Sequence, residues 1–105
     1  MEKLALLVTL EAKPGKENEV EQFLNNGLEI VEHELKTISW YALKMGNGVY
    51  YVFDTFEREK GRLEHLNGDV AKAMAQKAGD LLVRPPKIEL VDLLAVEQES
   101  IHYLV

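Results

Sequence analysis

Asp54, Arg62 and His65 follow one another closely in the second half of this chain, just downstream of an aromatic-rich stretch carrying Trp40, Tyr41, Tyr50, Tyr51 and Phe53. An imidazole titrates near neutral pH, so His65 can take a proton from a phenol or an enol. A cationic neighbour, Arg62 or Lys44, can then favour the anion electrostatically. Trp40, Tyr41, Tyr50 and Tyr51 can supply flat walls for an aromatic ring. The candidate catalytic residues are therefore His65 and Arg62, and the candidate pocket is Trp40, Tyr41, Tyr50, Tyr51, Phe53 and Asp54, with Trp40 the first aromatic to test. Each has a structural alternative. Aromatics in strands are more often core than substrate wall. Asp54 can pair with Arg62 or cap the following helix. On an unbroken helix His65 points away from the Leu63, Leu66, Val70 stripe, towards solvent.

Other chemistries find little support. There is no Cys, hence no thiolate nucleophile and no Cys-based zinc or iron–sulfur site. His33 and His102 lack ligand-spaced neighbours, so no metal site is expected. Gly46-Asn47-Gly48 is a turn rather than a phosphate loop, because no helix N-terminus follows it. The net charge of −6, with dispersed basic residues, argues against tracking nucleic-acid phosphates. The start of the chain lacks a signal peptide's cleavage region, and its apolar run Leu4 to Leu10 is far too short to span a bilayer. The expectation is a soluble cytoplasmic protein that binds neither nucleic acid nor membrane. At 105 residues it is most simply one domain, 1–105, with a core over about 4–96 and a tail over 97–105.

The elements that must position these residues follow from periodicity. Leu4 to Ala12 reads as a strand ended by Lys13-Pro14-Gly15. From Lys16, apolar residues at Val20, Phe23, Leu24, Leu28, Val31 and Leu35 keep helical spacing, with glutamates outside the stripe. Thr37 to Met45 and Val49 to Phe56 read as a hairpin about Asn47-Gly48. Pairing back from that turn puts Trp40, Ala42, Lys44, Tyr51, Phe53 and Thr55 on one face, and Tyr41, Leu43, Met45, Tyr50, Val52, Asp54 and Phe56 on the other. Arg58 onward is helical, with Leu63, Leu66, Val70, Met74 and Leu81 on one stripe and Gly68 a potential break. Arg84-Pro85-Pro86 leads into a last strand, Lys87 to Val96. In the tail, Ile101, Tyr103 and Leu104 look apolar enough to pack on a partner or a strand edge.

Both hairpin faces carry bulky apolar groups, yet the helices of a β-α-β-β-α-β order lie on one side of the sheet. The open face is expected to be buried against a second copy, giving a homodimer with sheets face to face.

The segments LLVTLEAKPGKENEVEQFL, SWY, VFDTFE and GRLEHLNGDVAKAM, with the proline-led last strand, resemble the antibiotic biosynthesis monooxygenase domain family over about Leu4 to Val96. The resemblance implies an α+β, ferredoxin-like βαββαβ subunit: a four-stranded antiparallel sheet, two helices on one face, paired into a dimeric α+β barrel. It also implies oxidation of polycyclic phenols or quinols by dioxygen without a cofactor, with His65 matching the histidine of the family's H-L segment. Where many members carry a second histidine this chain has Val70, so a paired acid and base is not evident. The heme-degrading branch has a tryptophan at the position of His65, its iron ligand at Ala75 and an asparagine near Val8, and none of these is present. The functional expectation is a cofactor-independent monooxygenase or quinol oxidase acting on a small hydroxylated aromatic. The alternative is a non-catalytic small-molecule-binding or stress-associated dimer.

Overall fold

The computed structural model describes residues 2–97, so the expectations for His102 and for Ile101, Tyr103 and Leu104 lie outside the described residues. The described elements are β1 (Leu4–Glu11), α1 (Glu17–Val31), β2 (Thr37–Gly46), β3 (Val49–Phe56), α2 (Glu59–Leu66), α3 (Asp69–Leu81) and β4 (Lys87–Asp92). The strands form one sheet in the order β2-β3-β1-β4, every neighbouring pair antiparallel. This is the expected ferredoxin-like arrangement, with the second helix divided in two. No helix among the described residues is long and apolar enough to cross a membrane.

β1 ends where Pro14, which has no N–H to give to a ladder, enforces a turn. β4 stops at Asp92, opposite Leu4 at the start of β1. One further backbone hydrogen bond runs from Leu93 N–H to the Lys3 carbonyl at 2.9 Å, and the strand does not extend to Val96 as expected. Helix α1 buries Val20, Leu24, Gly27 and Val31, a four-three-four spacing that holds one face on the sheet. It ends at Val31 rather than running on, so Leu28 is about half exposed and Leu35 almost fully so. Glu17 and Glu19 sit in its first turn, where the helix dipole favours negative charge.

The hairpin turns at Asn47 and Gly48, with φ of 54° and 77°. Positive φ at both central residues is the two-residue turn whose twist matches that of the flanking strands. The expected register nevertheless breaks one step further back. Gly46 pairs with Val49 but Lys44 pairs with Tyr50, leaving Met45 as the extra residue of a bulge. A bulge moves every later residue by one and so swaps faces. The expected facial grouping is therefore wrong: Trp40, Ala42 and Lys44 share a face with Tyr50, Val52 and Asp54, and Tyr41 and Leu43 share the other with Tyr51 and Phe53.

The helices cover the first of these faces. Tyr50, Val52, Asp54 and Phe56 are buried there together with Leu6 and Leu10 of β1, and Val20, Leu24, Met74 and Leu81 pack in from α1 and α3. The other face carries Leu7, Thr9, Tyr41, Leu43, Tyr51 and Phe53, and none of these is buried. Tyr41 is 53% exposed and Leu43 47%.

The break between α2 and α3 falls at Asn67 and Gly68. It frees α2 from the stripe that continues in α3, so α2 buries Gly61, Arg62 and His65 while Leu63 stands 47% exposed. Gly61 permits the approach: a Cβ there would lie 3.0 Å from Lys36 Cβ and 3.2 Å from the Lys36 carbonyl oxygen. Gly61→Val is expected to destabilise the fold by about 2 kcal/mol through overpacking. Chemical denaturation measures it, and an unchanged midpoint would show that α2 does not pack this closely.

Candidate functional site

His65 lies on the inner face of α2, 8% exposed, with its ring 5.6 Å from that of Phe56 and tilted by 47°. Both ring nitrogens meet carboxylates. Nε2 is 2.5 Å from Asp54 Oδ2 on β3, and Nδ1 is 2.5 Å from Glu34 Oε1 in the connection after α1. Asp54 is fully buried. It faces inward because Leu6 of β1 and Trp40 of β2 are its register partners on either side. Apart from the ion-pair contact with His65, neither carboxylate oxygen of Asp54 has a hydrogen-bond donor. Glu34 also accepts a hydrogen bond from Thr37 Oγ1 at 3.0 Å.

Between the sheet and the helices lies a cavity of about 190 Å³ with Asp54, His65 and Trp40 on its wall. The remaining lining is almost wholly apolar, including Leu6, Val8, Val52, Met74 and Ile88. The indole packs over α1 at Gly27, where a Cβ would lie 3.8 Å from the ring, at ordinary van der Waals contact. The indole Nε1 is buried and has no hydrogen-bond partner. Trp40 and Asp54 are direct cross-strand partners, so an unpartnered donor stands on one wall beside the Asp54 oxygen that His65 leaves free. Buried polar groups are normally satisfied, and this pair lacks only a molecule that donates and accepts at once.

The other nominated residues lie elsewhere. Arg62 points to the sheet rather than the cavity: its Nη1 donates to the carbonyls of Ala5 and Val91 at 3.3 Å, and its Nη2 pairs with Glu59. It joins α2 to β1 and β4, and Asp54 pairs with His65 rather than with it. Tyr50 belongs to the core, donating to Glu21 at 2.5 Å. Burial first, and then Glu21, push its phenol up to about 12. The Tyr50 hydrogen bond, followed by Lys44 at 2.9 Å, in turn lowers Glu21. Tyr41, Tyr51 and Phe53 stand on the opposite side of the sheet. Glu34 was not foreseen, because no local spacing links it to a histidine 31 positions away.

Burial on its own would drive the His65 proton off, but the contacts with Asp54 and Glu34 outweigh it and raise the imidazole to about 9. Burial raises Asp54 as well, partly offset by His65. At neutral pH the imidazole between Asp54 and Glu34 is thus biased toward its protonated form. These partners sit on opposite ring nitrogens and cannot converge on one ion, and no metal-ligating cluster occurs among the described residues. The folded state binds the His65 proton more tightly than the unfolded chain, whose imidazole titrates near 6.5. That stabilisation is complete below the unfolded value and disappears as pH rises through about 9. Urea unfolding is expected to show a loss on the order of 3 kcal/mol between about pH 6 and about pH 10. His65→Gln should flatten the slope, and equal wild-type stability at both pH values would contradict the assignment.

No family model matches the chain, and no curated protein matches it. Solved structures do. The NE2512 protein of Nitrosomonas europaea, of unknown function, is 47% identical, with a TM-score of 0.91 over 95% of this chain and 97% of that one. A Caulobacter crescentus CB15 protein provisionally assigned as an antibiotic biosynthesis monooxygenase is 24% identical, with a TM-score of 0.75 over 91% and 92% of the two chains. PA3566 of Pseudomonas aeruginosa is 18% identical, with a TM-score of 0.78 over 90% and 97%. The chain belongs to one family with NE2512 and has the fold of the antibiotic biosynthesis monooxygenases.

Proposed function

We propose that the cavity binds a small hydroxylated aromatic and that the protein acts as a cofactor-independent monooxygenase or quinol oxidase. The observation that carries this reading is the placement of the Asp54–His65 pair on the wall of an apolar cavity, beside the unpartnered Trp40 Nε1. A ring hydroxyl can donate to Asp54 and accept from Trp40. Asp54 takes the hydroxyl proton, and the imidazolium behind it and the indole N–H stabilise the anion. Ground-state dioxygen reacts slowly with the neutral ring but accepts one electron from the anion, and recombination follows. In the monooxygenase outcome one oxygen atom enters the ring and the other leaves as water with two hydrogens and two electrons taken from the ring itself, so that a phenol ends as a quinone. In the oxidase outcome the quinol loses two electrons and two protons to dioxygen, giving quinone and hydrogen peroxide.

Volume narrows the substrate. An apolar cavity of roughly 150 Å³ holds benzene, so about 190 Å³ suits one ring with small substituents rather than a polycyclic phenol. A second reading, ligand binding without turnover, is favoured by one observation: Arg62, the expected anion-stabilising cation, is committed to strand carbonyls.

We further propose that the chain is a single domain that forms a homodimer through the open sheet face, where Tyr41, Leu43, Tyr51 and Phe53 meet their counterparts. Apolar area of this kind is ordinarily buried by association. Sedimentation of the wild type should give a dimer and that of Tyr41→Glu/Leu43→Glu a monomer; a monomeric wild type would remove the proposal.

Oxygen uptake with methylhydroquinone or a single-ring phenol tests the chemistry. Asp54→Asn and His65→Gln, which keep polar volume, are expected to lower kcat by roughly 10²-fold or more. Trp40→Phe should act mainly on KM. Uptake unaffected by Asp54→Asn would dismiss the assigned base. Saturable binding without uptake would leave the ligand-binding reading.

A further inference from the structure

His65 borders two spaces. One side of its ring meets the apolar cavity through Asp54, and the other meets an open surface cleft lined by Glu29, His33, Glu34, Glu64 and Asp69. Asp54 is fully buried, whereas the Glu34 side chain is 21% exposed. The three groups therefore form a line from buried Asp54 to the surface, Asp54 Oδ2 to Nε2 and Nδ1 to Glu34 Oε1, each step 2.5 Å. The imidazole bridges the line, presenting Nε2 to Asp54 and Nδ1 to Glu34.

We propose that Glu34, His65 and Asp54 form a proton conduit between the cavity and the surface cleft, with Glu34 the positioning residue at its outer end. The inference rests on the reading that a hydroxylated ligand gives up its proton in the cavity, although the conduit operates on the imidazole whether or not a ligand reacts. The proton balance closes. When a ligand O–H breaks, Asp54 gains that proton. The Nδ1–H bond of the imidazolium breaks and Glu34 gains its proton, which passes to water in the cleft. The ligand is left with one negative charge, solvent has gained one proton, and the Asp54–His65 pair keeps the same net charge. Product protonation runs the same steps in reverse.

The surrounding charges suit an exit for protons. Lys36 Nζ is engaged by Glu64 at 3.0 Å, and Arg62, one turn earlier on α2, is held by Glu59 and the strand carbonyls. Asp69 lies in the first turn of α3, and Glu29 and His33 extend the cleft along the end of α1. Acidic side chains outnumber basic ones around the outer end, which raises the local concentration of protons.

The test is the exchange of the His65 ring N–H protons with water, followed by nitrogen-15 NMR on the intact protein. Glu34→Gln keeps the Thr37 hydrogen bond but cannot take up a proton. It is expected to slow exchange at Nδ1 by at least roughly tenfold, and Glu34→Asp should restore most of the rate. Asp80→Asn, which removes an exposed acidic charge on α3 away from the line, should leave Nδ1 exchange within about twofold of wild type. Unchanged exchange in Glu34→Gln, or equal slowing in Asp80→Asn, would overturn the conduit. A second arm uses 4-nitrophenol, whose ionisation is visible in its absorbance: proton release on binding should slow in Glu34→Gln while affinity holds. If 4-nitrophenol fails to bind at all, the cavity reading falls and the NMR exchange still decides the conduit.

Discussion

Everything in the site depends on an imidazole held between two carboxylates out of contact with bulk water. An isolated ion in such a place costs several kcal/mol of desolvation, and removing one member of a buried pair typically costs about 3–5 kcal/mol because the other is left uncompensated. The arrangement persists here because Asp54 and Glu34 approach from opposite sides and hold the proton against the tendency of burial to expel it. Each carboxylate comes from a different part of the chain, β3 and the connection after α1, and the imidazole from α2. The contact therefore closes the fold as well as the site, tying the helix layer to the sheet and to the end of α1.

Three local departures from regularity make that meeting possible. The interruption at Asn67 and Gly68 lets α2 rotate independently of α3, which turns His65 inward. Gly61 lets α2 settle against Lys36, close to Glu34. The bulge at Met45 turns Trp40 to the side of the sheet that carries Asp54, so the unpartnered indole donor joins the carboxylate oxygen that His65 leaves free. Irregularities of this kind are over-represented near functional sites because they aim side chains that an ideal element would aim elsewhere. The same bulge sends Tyr41 and Leu43 to the open face, beside Tyr51 and Phe53, so one extra residue serves both the cavity and the proposed dimer surface.

Much of the architecture was legible in the sequence, because turn chemistry and apolar periodicity are local signals. Lys13-Pro14-Gly15, Asn47-Gly48 and the proline pair before β4 mark boundaries that the structure respects. The hairpin register was not legible, since a bulge has no signature stronger than a glycine already needed for the turn. His65 was recognised by residue type, but its direction hinged on whether Gly68 merely weakens a helix or ends it, which only packing decides. Arg62 looked like an anion-stabilising cation, yet its guanidinium serves backbone carbonyls at a sheet edge, a demand that spacing does not reveal. Glu34 was hidden for the most general reason: its partner is distant in sequence, and amid the glutamates of α1 it reads as one more solvated charge.

His65 is held as an imidazolium at neutral pH by the two carboxylates that flank it, and the ring nitrogen-15 chemical shifts across a pH titration test this most directly. Both nitrogens are expected in the protonated range at pH 7, and the ring loses one proton near about 9, with the midpoint falling in Asp54→Asn and in Glu34→Gln alike. A neutral ring at pH 7 with one bare nitrogen, or a midpoint indifferent to both substitutions, would contradict it.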